Sequence, residues 1–225
     1  MDSLKSRLKY STIFISIFIV IVICVYYIGI AINYPLKYTD EINDAAAEFG
    51  VSRSLISAVI KTESDFDEKS ISAKGAKGLM QITDSTAEYI AGLLGEESFD
   101  ILDAKTNIRF GTYYLKYLFY KFKTLNEVLC AYNAGEGTVG EWLNDKKYSR
   151  DGKTLKKVPY AETSRYVRKV RGSMTVYEKR IKKKAKSVWK FSCFKAKLTV
   201  LANTCVVKQA KLIKNGFKMH SNAFL

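Results

Sequence analysis

Histidine is almost missing from this chain: its 225 residues contain one, His220, close to the C-terminus. A histidine-based nucleophilic triad or a histidine zinc centre therefore has no material. Acid–base chemistry falls to carboxylates, tyrosine or lysine. Proline is scarce too, with Pro35 and Pro159 the only two, so no Pro-rich linker divides the chain. The four cysteines, Cys24, Cys130, Cys193 and Cys205, form no C-x-x-C pair and have no histidine partner. Neither a metal nor any other cofactor is expected. Convincing strand alternation is lacking before residue 172, and no internal repeat is visible. What remains is apolar residues, at 48%, enough to fill the core of one domain of about 150 residues.

Charge is distributed unevenly. From Gly172 to Leu225 thirteen lysines and arginines stand against Glu178, so this stretch carries +12 of the net +15 and the first 171 residues only +3. Thr12 to Ile32 holds 21 residues without a charge, which at about 1.5 Å per residue spans a ~30 Å hydrocarbon layer. Lys5, Arg7 and Lys9 precede it and Lys37, Asp40 and Glu41 follow. The positive-inside rule then places residues 1–11 in the cytoplasm, 12–32 across the membrane and the rest outside. Two other readings of the run are a cleaved signal peptide, with Gly29 and Ala31 as a small-x-small site, and a buried core helix. The run is longer than the apolar core of most signals and has no charge to mark an exposed face, so a retained single-pass anchor is expected.

Beyond the anchor the pattern is helical. Ile42, Ala45, Ala46 and Phe49 mark an amphipathic helix stopped by Gly50, and Ser52 is placed to cap the next one, which ends near Glu63. Ser85 with Glu88, and Thr124 with Glu127, have capping-box spacing. Ile108, Gly111, Tyr114, Leu115, Leu118 and Phe119 form the stripe of a long core helix, and a further helix is expected from Glu162 to Arg171.

Glu63 is the unusual residue. Four positions after Val59 and three after Ile60, it projects from the apolar face of its helix, at the negative end of the dipole. Burial and dipole both favour the protonated acid, the state a general acid needs. A glutamate turned to solvent, or paired with Lys61 or Lys69, fits the same helix geometry.

The segments around it occur in an ordered series: Glu63-Ser64, Ser72, "GAKGLMQI" from Gly75 to Ile82, "TNI" at 106–108, "AYNAG" from Ala131 to Gly135, and "ETSRYV" from Glu162 to Val167. Together they resemble the soluble lytic transglycosylase (SLT) family of peptidoglycan-cleaving enzymes, over residues 38–171. The resemblance implies a mainly α, lysozyme-like domain, here preceded by one transmembrane helix. It implies that Glu63 is the single catalytic acid/base. Ser72, Met80 and Gln81 would line the cleft, and Tyr132 and Asn133 would face Glu63, with the tyrosine hydroxyl orienting the carboxyl or the sugar. Glu162 and Tyr166 would bind saccharide further along. Met80 and Tyr166 also fit plain packing roles, and Gln81 and Asn133 also fit backbone hydrogen bonding. The chain departs from the usual pattern at Cys130, at Ala104 and at Asp65 and Asp67, whose charge would push the pKa of Glu63 higher.

The implied reaction cleaves the β-1,4 bond from N-acetylmuramic acid to N-acetylglucosamine and leaves a 1,6-anhydromuramyl end without consuming water. Its partners are peptidoglycan strands outside the cytoplasm and the membrane holding the anchor. One rival is a lysozyme-type hydrolase with Asp84 or Asp65 as a second carboxylate. Another is an idle wall-binding or scaffold module. A nucleic-acid role for the basic tail, residues 172–225, conflicts with its place outside the cell. Lys179 to Lys186 reads as a solvated, disordered charge run, and the tail's aromatic and lysine alternation from Trp189 onward fits anionic wall polymers or lipid head groups.

Overall fold

The computed structural model describes residues 2–187. The expectations for Trp189 and beyond, and for Cys193, Cys205 and His220, lie outside that range. Helix α1, Asp2–Asn33, carries the apolar run, and its Tyr10–Asn33 portion is long and apolar enough to cross a membrane. Its apolar side chains face outward: Phe14 is 71% exposed and Phe18 67%. A soluble core helix would bury them.

The body that follows is helical, with no strand among the described residues and only isolated bridges such as Lys77 with Ile82. Helix α2, Thr39–Phe49, ends at Gly50, whose left-handed φ of 72° lets its N–H return to the Ala46 carbonyl. Helix α3, Arg53–Glu63, starts at Ser52, whose hydroxyl accepts from the Leu55 N–H at 3.3 Å. Leu55, Ile56, Val59 and Ile60 are all buried. Helix α4, Asp84–Leu94, departs from the expected capping box: Thr83, not Ser85, caps it by accepting from the Thr86 N–H. Thr83 sits in extended backbone with its hydroxyl free to accept that bond, so the helix begins two residues earlier than expected.

Helix α5, Ala104–Phe122, is the long central element, with Ile108, Phe110, Leu115 and Leu118 fully buried. It meets α2 on one side and α4 and α6 on others. Helix α6, Leu125–Ala134, opens on Thr124, where the pairing with Glu127 runs side chain to side chain rather than to the backbone. Glu127 is buried and also takes the Leu155 N–H at 2.8 Å, which pins the loop after α7, Glu136–Asn144. The last helix among the described residues, α8, starts at residue 161 and does not stop at Arg171: it continues through residue 178, the end of this compact unit, and residues 179–187 are helical too. Tyr166, Val167, Val170, Ser173 and Tyr177 recur at helical spacing on its buried face. That stripe, with lysine and arginine as good helix formers, carries the helix past the expected end.

Candidate active site

Glu63 is the last residue of α3, and the backbone turns sharply after it. Asp65 and Phe66 both adopt left-handed φ, 54° and 65°. Side chains with a Cβ rarely take that conformation, so the turn stores strain. It is held by burying Phe66, which lies against Tyr38 and Tyr177. Ser64 ties the helix end to the loop ahead of α4, its hydroxyl donating to the Leu79 carbonyl at 2.8 Å.

That loop, residues 70–82, contains three of the expected cleft residues. Ser72 closes a small turn by accepting from the Ala76 N–H at 3.1 Å. Gln81 sits at φ 50° and donates its amide to the Ser70 and Gly78 carbonyls, at 3.0 and 2.9 Å. Met80 differs from expectation. Its side chain is fully buried, and a Cβ on Gly111 would come within 2.5 Å of its sulfur. It packs into the space that glycine leaves on α5 and presents no surface to a ligand.

Asn107, in the TNI segment and without an expected role, organises the loop from beneath. Fully buried on α5, it accepts from the Met80 N–H at 2.7 Å and donates to the Lys77 and Ile101 carbonyls at 2.9 and 2.8 Å. Gly78 leaves room for it, since a Cβ there would lie 2.3 Å from its amide nitrogen. The signal was present: a buried-position carboxamide one residue before Ile108 in the core stripe has to satisfy backbone groups.

Both tyrosines lie close enough to Glu63 to feel its charge, Tyr132 as expected, but their hydroxyls bond differently from expectation. The hydroxyl that reaches Glu63 belongs to Tyr166 of α8, donating to Oε1 at 2.7 Å. The Tyr132 hydroxyl of α6 donates instead to the Met80 carbonyl at 2.9 Å. Helix α8 passes close enough to α3 for its buried face to reach the carboxyl, a contact no local spacing reveals. Asn133 is half-buried and its side chain makes no hydrogen bond among the described residues, while Glu162 is exposed on the first turn of α8. Rings line the way out from Tyr132: Tyr114 is 5.5 Å away between centroids, Tyr117 stacks on Tyr114, and Tyr89 meets Tyr117 edge-on.

Burial pushes the Glu63 carboxyl from 4.5 up to about 7, against the hydrogen bond from Tyr166, which favours the ionised form. Burial, and then the Glu63 charge, hold the Tyr132 and Tyr166 hydroxyls well above the usual phenol range, so both remain donors. Asp65 does not add to the Glu63 shift as expected: it is exposed and paired with Lys61. Asp67 accepts from the Lys69 N–H, and Asp84 is paired with Lys77 at 2.7 Å. One acid, proton-bearing near neutrality and gripped by one phenol, is what the site offers.

The family model for the transglycosylase SLT domain matches residues 40–155, just over half of the chain. The chain belongs to the SLT transglycosylase family. This SLT domain is 33% identical over 145 residues to the soluble lytic murein transglycosylase of Escherichia coli, covering 61% of this chain and 22% of that protein. It is 31% identical over 168 residues to the membrane-bound lytic murein transglycosylase C of Yersinia pestis, covering 64% and 47%. Among solved structures, the lytic transglycosylase Slt of Pseudomonas aeruginosa, an inactive glutamate-to-glutamine mutant, superposes with a TM-score of 0.60 at 27% identity, over 68% of this chain and 25% of that one. A soluble lytic transglycosylase solved with bulgecin A gives 0.58 at 29% identity, over 66% and 25%. The chain thus spans less than half the length of each of these relatives.

Proposed function

We propose that this protein is a membrane-anchored lytic transglycosylase that cleaves the MurNAc–GlcNAc β-1,4 bond of peptidoglycan without water. The observation that carries the reading is the lone, half-buried Glu63, its pKa raised to about 7 and its Oε1 held by Tyr166. In the first step the Glu63 proton passes to the glycosidic oxygen, the bond to muramyl C1 breaks, and N-acetylglucosamine leaves with a new hydroxyl. The muramyl acetamido group stabilises the electron-poor C1. In the second step the Glu63 carboxylate takes the proton of the C6 hydroxyl as O6 bonds to C1. The 1,6-anhydro ring closes and the acid is restored.

A two-carboxylate hydrolase needs a second group about 5–9.5 Å across the scissile bond. Asp65 and Asp84, the two candidates, are each exposed and engaged by a lysine, which supports the single-acid route. In the same reading Asn133, Glu162, Gln81 and Ser72 contact the glycan, the tyrosines from Tyr132 to Tyr89 offer faces to sugar rings, and α1 anchors the domain on the outer side of the membrane. Loss of activity through a glutamate-to-glutamine change in the Pseudomonas relative, and bulgecin A binding by the soluble one, support a glutamate-dependent saccharide site. In this proposal the catalytic domain runs from residue 38 past the expected end at Arg171 to residue 178, and 179–225 are an appended basic segment.

Digestion of purified sacculi in ¹⁸O-water tests the proposal. Anhydromuropeptides without ¹⁸O are expected. Reducing ends carrying one ¹⁸O would instead mean a hydrolase, and intact sacculi an idle module.

A further inference from the structure

A cavity of about 410 Å³ opens where α3, α8 and the end of α1 meet, and Tyr34, Lys61, Thr62, Arg168, Lys169 and Gly172 line it. Three cations face this space and no carboxylate does. Lys61 is engaged at its edge by exposed Asp65 and lies 5.8 Å from the Tyr34 ring centre. Arg168 and Lys169 are exposed and form no ion pair among the described residues. Like charges gathered in one cleft repel, and an anion placed among them relieves the repulsion. Gly172 adds a second observation. It stands in the interior of a helix, where glycine is destabilising relative to alanine, yet nothing lies within 4 Å of where its Cβ would be. No neighbour requires a glycine there, and its absent side chain keeps the cavity wall open.

Position indicates the anion. Tyr34 directly follows the apolar Tyr10–Asn33 span, so the cavity begins where the hydrocarbon layer would end. Lipid phosphates are concentrated at that depth, and tyrosine favours it. We propose that the cavity binds the phosphodiester head group of an anionic glycerophospholipid. The inference rests on reading α1 as a membrane anchor. Because Lys61 and Thr62 directly precede Glu63, and Arg168 and Lys169 follow Tyr166, a lipid bound there sets the orientation of the catalytic pair above the bilayer.

The test uses the full chain in neutral detergent, with bound lipid counted by native mass spectrometry. Dihexanoyl phosphatidylglycerol, dihexanoyl phosphatidylcholine and inorganic phosphate are the probes. One phosphatidylglycerol should be retained, phosphatidylcholine should not, and equimolar phosphate should not displace the lipid. Arg168→Gln with Lys169→Gln should weaken retention roughly 25-fold, taking about 5-fold per basic residue at a membrane surface. Gly172→Glu, which meets no steric obstacle and favours the helix, should weaken it as well by placing a carboxylate in the wall. Equal retention by the parent and both variants would overturn the proposal in favour of binding by the tail lysines. Displacement by phosphate would mean a free-anion site, and equal binding of phosphatidylcholine an apolar contact; either result overturns it. Carbonate extraction of membranes checks the anchor separately: release of the chain would refute the anchor reading, whatever the lipid result.

Discussion

Replacing Glu63 by glutamine should stabilise the protein above neutral pH while leaving its stability at pH 4 nearly unchanged. The folded carboxyl keeps its proton up to about pH 7, whereas the unfolded one releases it near 4.5. Between those values the folded state binds more protons, so stability falls as pH rises, and the loss is complete above 7. A rise from 4.5 to about 7 corresponds to about 3 kcal/mol. Below 4.5 both states are protonated and the group contributes nothing. Glutamine does not titrate, is nearly isosteric, and can still accept the Tyr166 hydrogen bond, so it escapes this penalty. For a body of this size about 3 kcal/mol corresponds to a gain of roughly 6–12 °C in Tm. Thermal melts of both proteins, followed by near-ultraviolet circular dichroism from pH 4 to 8, measure the difference, in which other titrating groups cancel. A gap that opens between pH 4.5 and 7 is expected. A difference flat across that range would refute the burial argument for Glu63.

Tyr166→Phe removes the hydrogen bond that favours ionised Glu63, so the alkaline limb of the kcat/KM profile should move up by about one pH unit or more while the maximal rate falls. An unshifted limb would show that Tyr166 does not hold the carboxyl. Asn107→Ala leaves the Met80 N–H and two carbonyls unpaired at about 1–3 kcal/mol each, so denaturant unfolding should show a loss of at least about 3 kcal/mol together with lowered activity. For topology, protease added to spheroplasts should degrade the body and spare the N-terminus. A body that is resistant until lysis would overturn the proposed orientation.

Glu63 could be singled out in the sequence because its cue is local: a carboxylate on the apolar stripe of Leu55, Ile56, Val59 and Ile60. Gly50 and Ser52 were legible for the same reason, as one-residue statements about helix ends. The grip of Tyr166 was not, because it joins groups 103 residues apart and depends on how α8 crosses α3. Met80 could be read either as cleft or as core. The close approach of Gly111 decides for core, a fact of helix packing rather than of pattern. The run from Lys179 to Lys186 misled through its charge. The stripe through Val170, Ser173 and Tyr177 shows that α8 continues past Arg171, and charged residues on its exposed side do not oppose it.

The central claim is that Glu63 both donates the first proton and accepts the second. Digestion of sacculi by the parent protein and by Glu63→Gln, matched for circular-dichroism spectrum, tests it most directly. The parent should release anhydromuropeptides, one water lighter than hydrolysis products, and the variant should release them at least about 10²–10⁴-fold more slowly. Release by the folded variant at a rate close to that of the parent would contradict the account.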